Sequence, residues 1–88
     1  MVRRHIVFRG RVQGVGFRYR ARHAASLHGC TGWVRNEWDG SVTMEIQGTP
    51  DRIEQVIRSI RAGHFVRIED MESRELPPKE EEHGFRAE

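Results

Sequence analysis

The sequence predicts a small α+β sandwich: an antiparallel sheet with two helices on one face, in the ferredoxin-like order β-α-β-β-α-β, with an optional short fifth strand. Three observations predict it. Apolar residues switch between two-residue alternation and helical spacing in that order along the chain. The pair Asp39-Gly40 lies between two alternating runs, which is the mark of a tight hairpin. Right-handed crossovers through the two helical runs then place the first strand inside the sheet. The 88 residues show no internal repeat and no linker, so residues 1–88 are expected to form one domain.

The first strand is expected over residues 5–12, where Ile6, Val7 and Phe8 precede a run of glycines at 10, 14 and 16. A helix follows from Phe17 to Leu27. Phe17, Ala21, Ala24 and Ala25 share one face, Arg18 and Arg22 are one turn apart, and Gly29 provides a left-handed stop. Residues 31–38 and the alternating Val42, Met44 and Ile46 make the hairpin, with Asn36 on the face of Val34 and with Trp33 and Arg35 on the other. The second helix begins at Thr49-Pro50-Asp51, an N-cap, a first-turn proline and an acid at the positive end of the dipole. Ile53, Val56, Ile57 and Ile60 form its buried stripe, and Gly63 ends it. Val66 and Ile68 open a fourth strand reaching Leu76, before Pro77-Pro78. Glu80 to Glu82 read as a solvated loop, and Phe85 anchors a short edge strand within residues 83–87.

The charge is uneven. Residues 1–44 hold eight arginines against two carboxylates, whereas residues 45–88 hold seven basic and eleven acidic residues. The basic half contains the glycine-rich loop, so an anionic ligand is steered there. A single cysteine, Cys30, can form no internal disulfide, which points to a reducing, cytoplasmic setting. The apolar run after Arg3-Arg4 is broken at Arg9 and Arg11, too short for an export signal or a membrane span. The five histidines are scattered with no carboxylate cluster beside them, which argues against a metal site.

The stretch Gly10-Arg-Val-Gln-Gly-Val-Gly-Phe-Arg18 joins a strand to a helix start, where unpaired N–H groups and flexible glycines can cradle a phosphate. Arg18 falls in the first helical turn, where the helix dipole disfavours a cation, and an anion held between them relieves that conflict. Taken alone, such a loop fits a plain glycine-rich connection equally well.

Together with Gly32-Trp-Val-Arg-Asn36 and the Asp39-Gly40 behind it, this stretch resembles the acylphosphatase family in motif order and spacing, over His5 to Phe85. The resemblance implies metal- and cofactor-free hydrolysis of the carboxyl-phosphate bond of small acyl phosphates, with inorganic phosphate as product and inhibitor. It implies that Arg18 binds the phosphoryl group and that Asn36 orients the attacking water. It implies further that the backbone of Arg11, Val12, Gln13, Gly14, Val15 and Gly16 holds the phosphate oxygens. The chemistry is consistent with that assignment: a carboxylate is a good leaving group, so the reaction needs charge stabilisation and a placed water more than an acid. Departures from the family pattern are Cys30, the proline-free Gly63-His64-Phe65, and the residues from Phe85 to Glu88, which leave the last strand the least specified element.

The competing class is a non-catalytic ferredoxin-like module binding anions or RNA, which a pI near 9.3 permits. No strand carries the alternating aromatic and basic pattern of such a module, so neither a nucleic-acid nor a membrane partner is expected. A degenerate relative of the acylphosphatase-like domain of larger carbamoyl-transfer proteins is a third reading. The presence of both site residues favours the freestanding enzyme, acting as a monomer.

Overall fold

The computed structural model describes residues 1–88. Its elements are β1 (Val2–Arg11), α1 (Phe17–Leu27), β2 (Thr31–Asn36), β3 (Val42–Gly48), α2 (Pro50–Arg61), β4 (Arg67–Leu76) and β5 (Phe85–Ala87). They form one five-stranded sheet in the order β4-β1-β3-β2-β5. The four long strands pair antiparallel as expected, with β1 interior, whereas β5 pairs parallel to β2. β1 begins three residues earlier than the expected residue 5, because Val2, Arg3 and Arg4 still find ladder partners in β3.

The sandwich is held by one core. Ile6 and Phe8 of β1, Val34 of β2 and Val42, Met44 and Ile46 of β3 meet Phe17, Ala21, Ala24 and Ala25 of α1 and Ile53, Val56 and Ile60 of α2. The alanines let α1 lie close to the sheet, and the edge-on contact of Phe8 with Phe17, at 4.9 Å between centroids, fixes where α1 begins. The α2 start is capped as the sequence implies, with Arg52 N–H donating to Thr49 Oγ1 at 3.3 Å.

Two glycines are required by close approach. A Cβ on Gly32, at φ 140°, would lie 1.9 Å from the carbonyl oxygen of Glu45, and one on Gly10, at φ 127°, 2.4 Å from that of Arg67. Gly10 sits at a bulge where the β1–β4 register shifts, bending the strand end that leads into the glycine loop.

On the sheet face away from the helices, Arg3 is buried to 1% exposure. It donates to Glu45 Oε1 at 3.1 Å, to Gln47 Oε1 at 3.3 Å, and to both carboxylate oxygens of Glu82 at 2.7 and 3.1 Å. Glu82 is therefore not part of a solvated loop. Gln47 adds a pair of bonds to the Lys79 main chain, both at 2.8 Å. These contacts tie down the connection from β4 to β5. Met71 is exposed on β4, and Trp38 is fully exposed in the hairpin turn.

Candidate active site

Val12 and Val15 turn their side chains into or against the core, so the main chain between β1 and α1 is left facing outward. Gly14 (φ 72°) and Gly16 (φ 81°) take left-handed conformations, and a Cβ on either would meet nothing within 4 Å. The N–H groups from Val12 to Tyr19 donate to no main-chain carbonyl, and Gly16, the N-cap of α1, offers no capping side chain. Unpaired donors thus converge at the positive end of a helix dipole.

Five of the expected residues, Val12, Gly14, Gly16, Arg18 and Asn36, line an open cleft of about 370 Å³. The sequence separation of Arg18 and Asn36 is closed by the sheet, since Asn36 ends β2 on the same side as the end of β1. Asn36 Oδ1 is buried and has no hydrogen-bond partner within the chain. Buried acceptors are almost always paired, so a lone one beside an arginine marks a place for a bound molecule. Arg18 donates from Nη1 to the main-chain oxygen of Glu88, just past β5. The last strand therefore forms and braces this arginine, which the divergent residues 85–88 left open.

Arg11, Gln13 and Val15 do not line the cleft. Arg11 is the last residue of β1 and pairs with Arg67. Gln13 turns its amide away from the cleft and donates to the carbonyl oxygens of Glu37 and Ser41 at 2.7 and 2.9 Å. Its side chain thereby clamps the glycine loop to the hairpin that carries Asn36. The hairpin turn is tightened in turn by Asp39, which accepts from Ser41 N–H at 3.0 Å and Ser41 Oγ at 2.6 Å; those bonds hold its carboxyl below the ordinary range. Tyr19, Arg22 and Ala87 complete the cleft. The spacing of Arg22 from Arg18, one helical turn, is the only trace of its place in the sequence.

Burial pushes the Cys30 thiol up, so it stays protonated at neutral pH, and it packs against Gly48, outside the cleft lining. No group of three or more His, Cys, Asp or Glu side chains is placed to hold a metal ion. No helix is long and apolar enough to cross a membrane.

The sequence model of the family Acylphosphatase matches residues 4–87, spanning the loop, the hairpin and the last strand. The chain belongs to the acylphosphatase family. An acylphosphatase from Geobacillus kaustophilus is 40% identical over 87 residues, covering 98% of this chain and 93% of that one. One from Oceanobacillus iheyensis is 46% identical over 70 residues, 77% of each chain. Among solved structures, the acylphosphatase from Bacillus subtilis superposes with a TM-score of 0.89 at 32% identity, covering 99% and 98% of the two chains. The same fold recurs inside a larger protein: full-length HypF, in its phosphate- and nucleotide-bound form, matches 98% of this chain at 31% identity and a TM-score of 0.86. There the match spans only 11% of that protein. Acylphosphatases hydrolyse acyl phosphates, and that is the activity of this chain; the near-full-length relatives set it apart from a non-catalytic ferredoxin-like module.

Proposed function

We propose that Arg18 and Asn36 carry this hydrolysis, with the main chain from Val12 to Gly16 and the first turn of α1 as the phosphate cradle. The observation that supports the assignment best is the run of unpaired N–H groups from Val12 to Tyr19 curling around a cleft that Arg18 and Asn36 both line. Phosphoryl oxygens take those N–H donors and the planar fork of Arg18. Asn36 Oδ1 accepts from a water and directs its oxygen at phosphorus. As the new P–O bond forms, the bond to the acyl oxygen breaks, and its electron pair leaves as the carboxylate. An amide is no base in water, so the water proton passes to a phosphoryl oxygen, and the products are carboxylate and dihydrogen or hydrogen phosphate.

No step in this sequence uses a metal or cofactor. Benzoyl phosphate is therefore expected to be hydrolysed at the same rate with and without a chelator, with inorganic phosphate competing for the cradle. Activity lost with chelator and restored by a divalent cation would refute the mechanism, and non-competitive phosphate inhibition would move the cradle elsewhere. The buried thiol and the single cysteine support action in a reducing, cytoplasmic compartment, and the small folded unit of residues 1–88 is proposed to act as a monomer.

The side chain of Gln13 positions rather than binds. Gln13→Ala frees the loop from the hairpin and leaves the carbonyls of Glu37 and Ser41 each without that donor. A fall in kcat/KM on the order of 10-fold is expected, together with about 1–2 kcal/mol of stability. Steady-state kinetics and a thermal melt check both, and parent-like kinetics would show that the clamp has no catalytic consequence.

A further inference from the structure

Fixed charges that stand directly opposite one another in the sheet are of opposite sign, as in Arg4 with Glu75 and Arg9 with Asp70, with one exception. Arg11 faces Arg67 in the last pair of the β1–β4 ladder. Side chains so placed start about 5 Å apart at Cβ on one face of the sheet, and like charges there are destabilising. The bulge at Gly10 imposes the pairing, because the glycine lies too close to the Arg67 carbonyl oxygen to carry a Cβ. Val66 and Ile68 pack against the core, so Arg67 between them points to the face away from the helices. Lack of a carboxylate partner does not set these two residues apart, since Arg52, Arg58 and Arg74 also have none. What sets them apart is that two guanidiniums share one cross-strand position. The acids nearby are engaged elsewhere: Asp70 pairs with Arg9, Asp39 accepts from Ser41, and the Glu69 stem lies against Gly10.

We propose that Arg11 and Arg67 form a second anion site, for a phosphate dianion that is free or the terminal group of a phosphomonoester. One such dianion cancels both charges, and its tetrahedral oxygens accept from both planar forks, so a repulsive pair becomes a set of charge-assisted bonds. A single carboxylate has one charge and matches one fork, and chloride has no directed acceptors. Both arginines are exposed, so the affinity is on the order of millimolar and falls with salt. Neither residue lines the cleft of Arg18 and Asn36, so the site is independent of the assignment above and its occupancy leaves catalysis unchanged. Its effect is to tie the end of β1 to the start of β4.

Arg67→Gln tests this by melting temperature, with Arg58→Gln removing the same charge from the exposed face of α2. In dilute buffer without phosphate, Arg67→Gln melts about 1–4 °C above the parent because the repulsion is gone, and Arg58→Gln shows no such rise. Inorganic phosphate at tens of millimolar erases that advantage by stabilising the parent more than the variant, and sodium chloride at equal ionic strength erases much less of it. Binding in the catalytic cleft is common to both proteins and cancels in the difference. Phenyl phosphate acting as well as inorganic phosphate assigns the site to phosphomonoesters; inorganic phosphate acting alone assigns it to the free ion. In a phosphate titration followed by arginine Nε–Hε NMR signals, those of Arg11 and Arg67 move in the parent, and that of Arg11 stays still in Arg67→Gln. The kcat and KM of Arg67→Gln on benzoyl phosphate equal those of the parent. An Arg67→Gln protein no more stable than Arg58→Gln, an advantage that persists in phosphate, or one that sodium chloride erases equally overturns the proposal. Failure of the Arg18 signal to move refutes the phosphate cradle instead and leaves the second site standing.

Discussion

Arg18→Lys and Asn36→Ala each lower kcat/KM on benzoyl phosphate by on the order of 100- to 1000-fold, but through different constants. Lysine keeps the charge of Arg18 and loses its planar pair of donors, so phosphoryl binding weakens: KM and the inhibition constant of inorganic phosphate rise together. Asn36→Ala leaves phosphate inhibition as it was and falls in kcat, because the water is no longer aimed. The alanine variant carries a further signature. Asn36 Oδ1 has no partner within the chain, so its removal breaks no internal hydrogen bond and relieves a buried unpaired acceptor. A melting temperature equal to or above that of the parent is expected alongside the lost activity. An unfolded Asn36→Ala protein would mean that the asparagine is structural, and a folded one with parent kcat would remove it from the mechanism.

Arg3→Met is expected to cost about 3–5 kcal/mol, enough to bring a domain of this size near its unfolding limit, and to lower the melting temperature by at least ~12 °C. Arg3 is the sole cation within bonding distance of Glu82, and Glu82 is itself buried. Burial raises the Glu82 carboxyl, but the hydrogen bonds from Arg3 and Thr31 together with the charges of Arg3 and Lys79 more than offset it, and the group sits below its ordinary value of 4.5; Glu45 is placed likewise between burial, His5 and Arg3. Depressed carboxyls contribute stability that is present above their ordinary value and lost as pH falls through the depressed one. The parent therefore weakens below about pH 4.5. In Arg3→Met the unpaired Glu82 is held up by burial and welcomes a proton, so the gap between variant and parent narrows in acid. Denaturant melts at pH 7 and pH 4 measure this. A gap that is constant with pH would show that Arg3 acts by packing alone.

The parts of the fold visible in the sequence are those set by local rules. The loop from Gly10 to Arg18, the α1 face and the capped α2 follow from glycine spacing, periodicity of 3.6 and end chemistry, all within a dozen residues. The pairing of Arg18 with Asn36 came from a family resemblance and not from spacing. Arg3 was hidden because it stands beside Arg4 and looks the same; strand alternation sends Arg4 toward Glu54 on α2 and Arg3 onto the opposite face beneath Glu82. Glu82 was hidden for the converse reason, as one of three consecutive acids of which only one finds a buried cation. Gln13 gave no sign that its side chain would face away from the phosphate cradle, since its acceptors are carbonyls 24 and 28 residues distant. The direction of β5 also depends on where the Arg3 and Gln47 contacts release the chain.

The two bonds that frame β5 are also among the most distant in sequence: Arg3 to Glu82 spans 79 residues and Arg18 to Glu88 spans 70. Loop-closure entropy makes such contacts late ones on a folding route. At a synthesis rate of about 5–20 residues per second, roughly 4–14 seconds separate the emergence of Arg18 from that of its brace. A nascent chain thus displays the glycine loop and helix start well before it holds a fixed arginine. Turnover of an acyl phosphate consequently reports that the polypeptide has closed on itself over these long spans, and it can serve as a clock for the final step of folding.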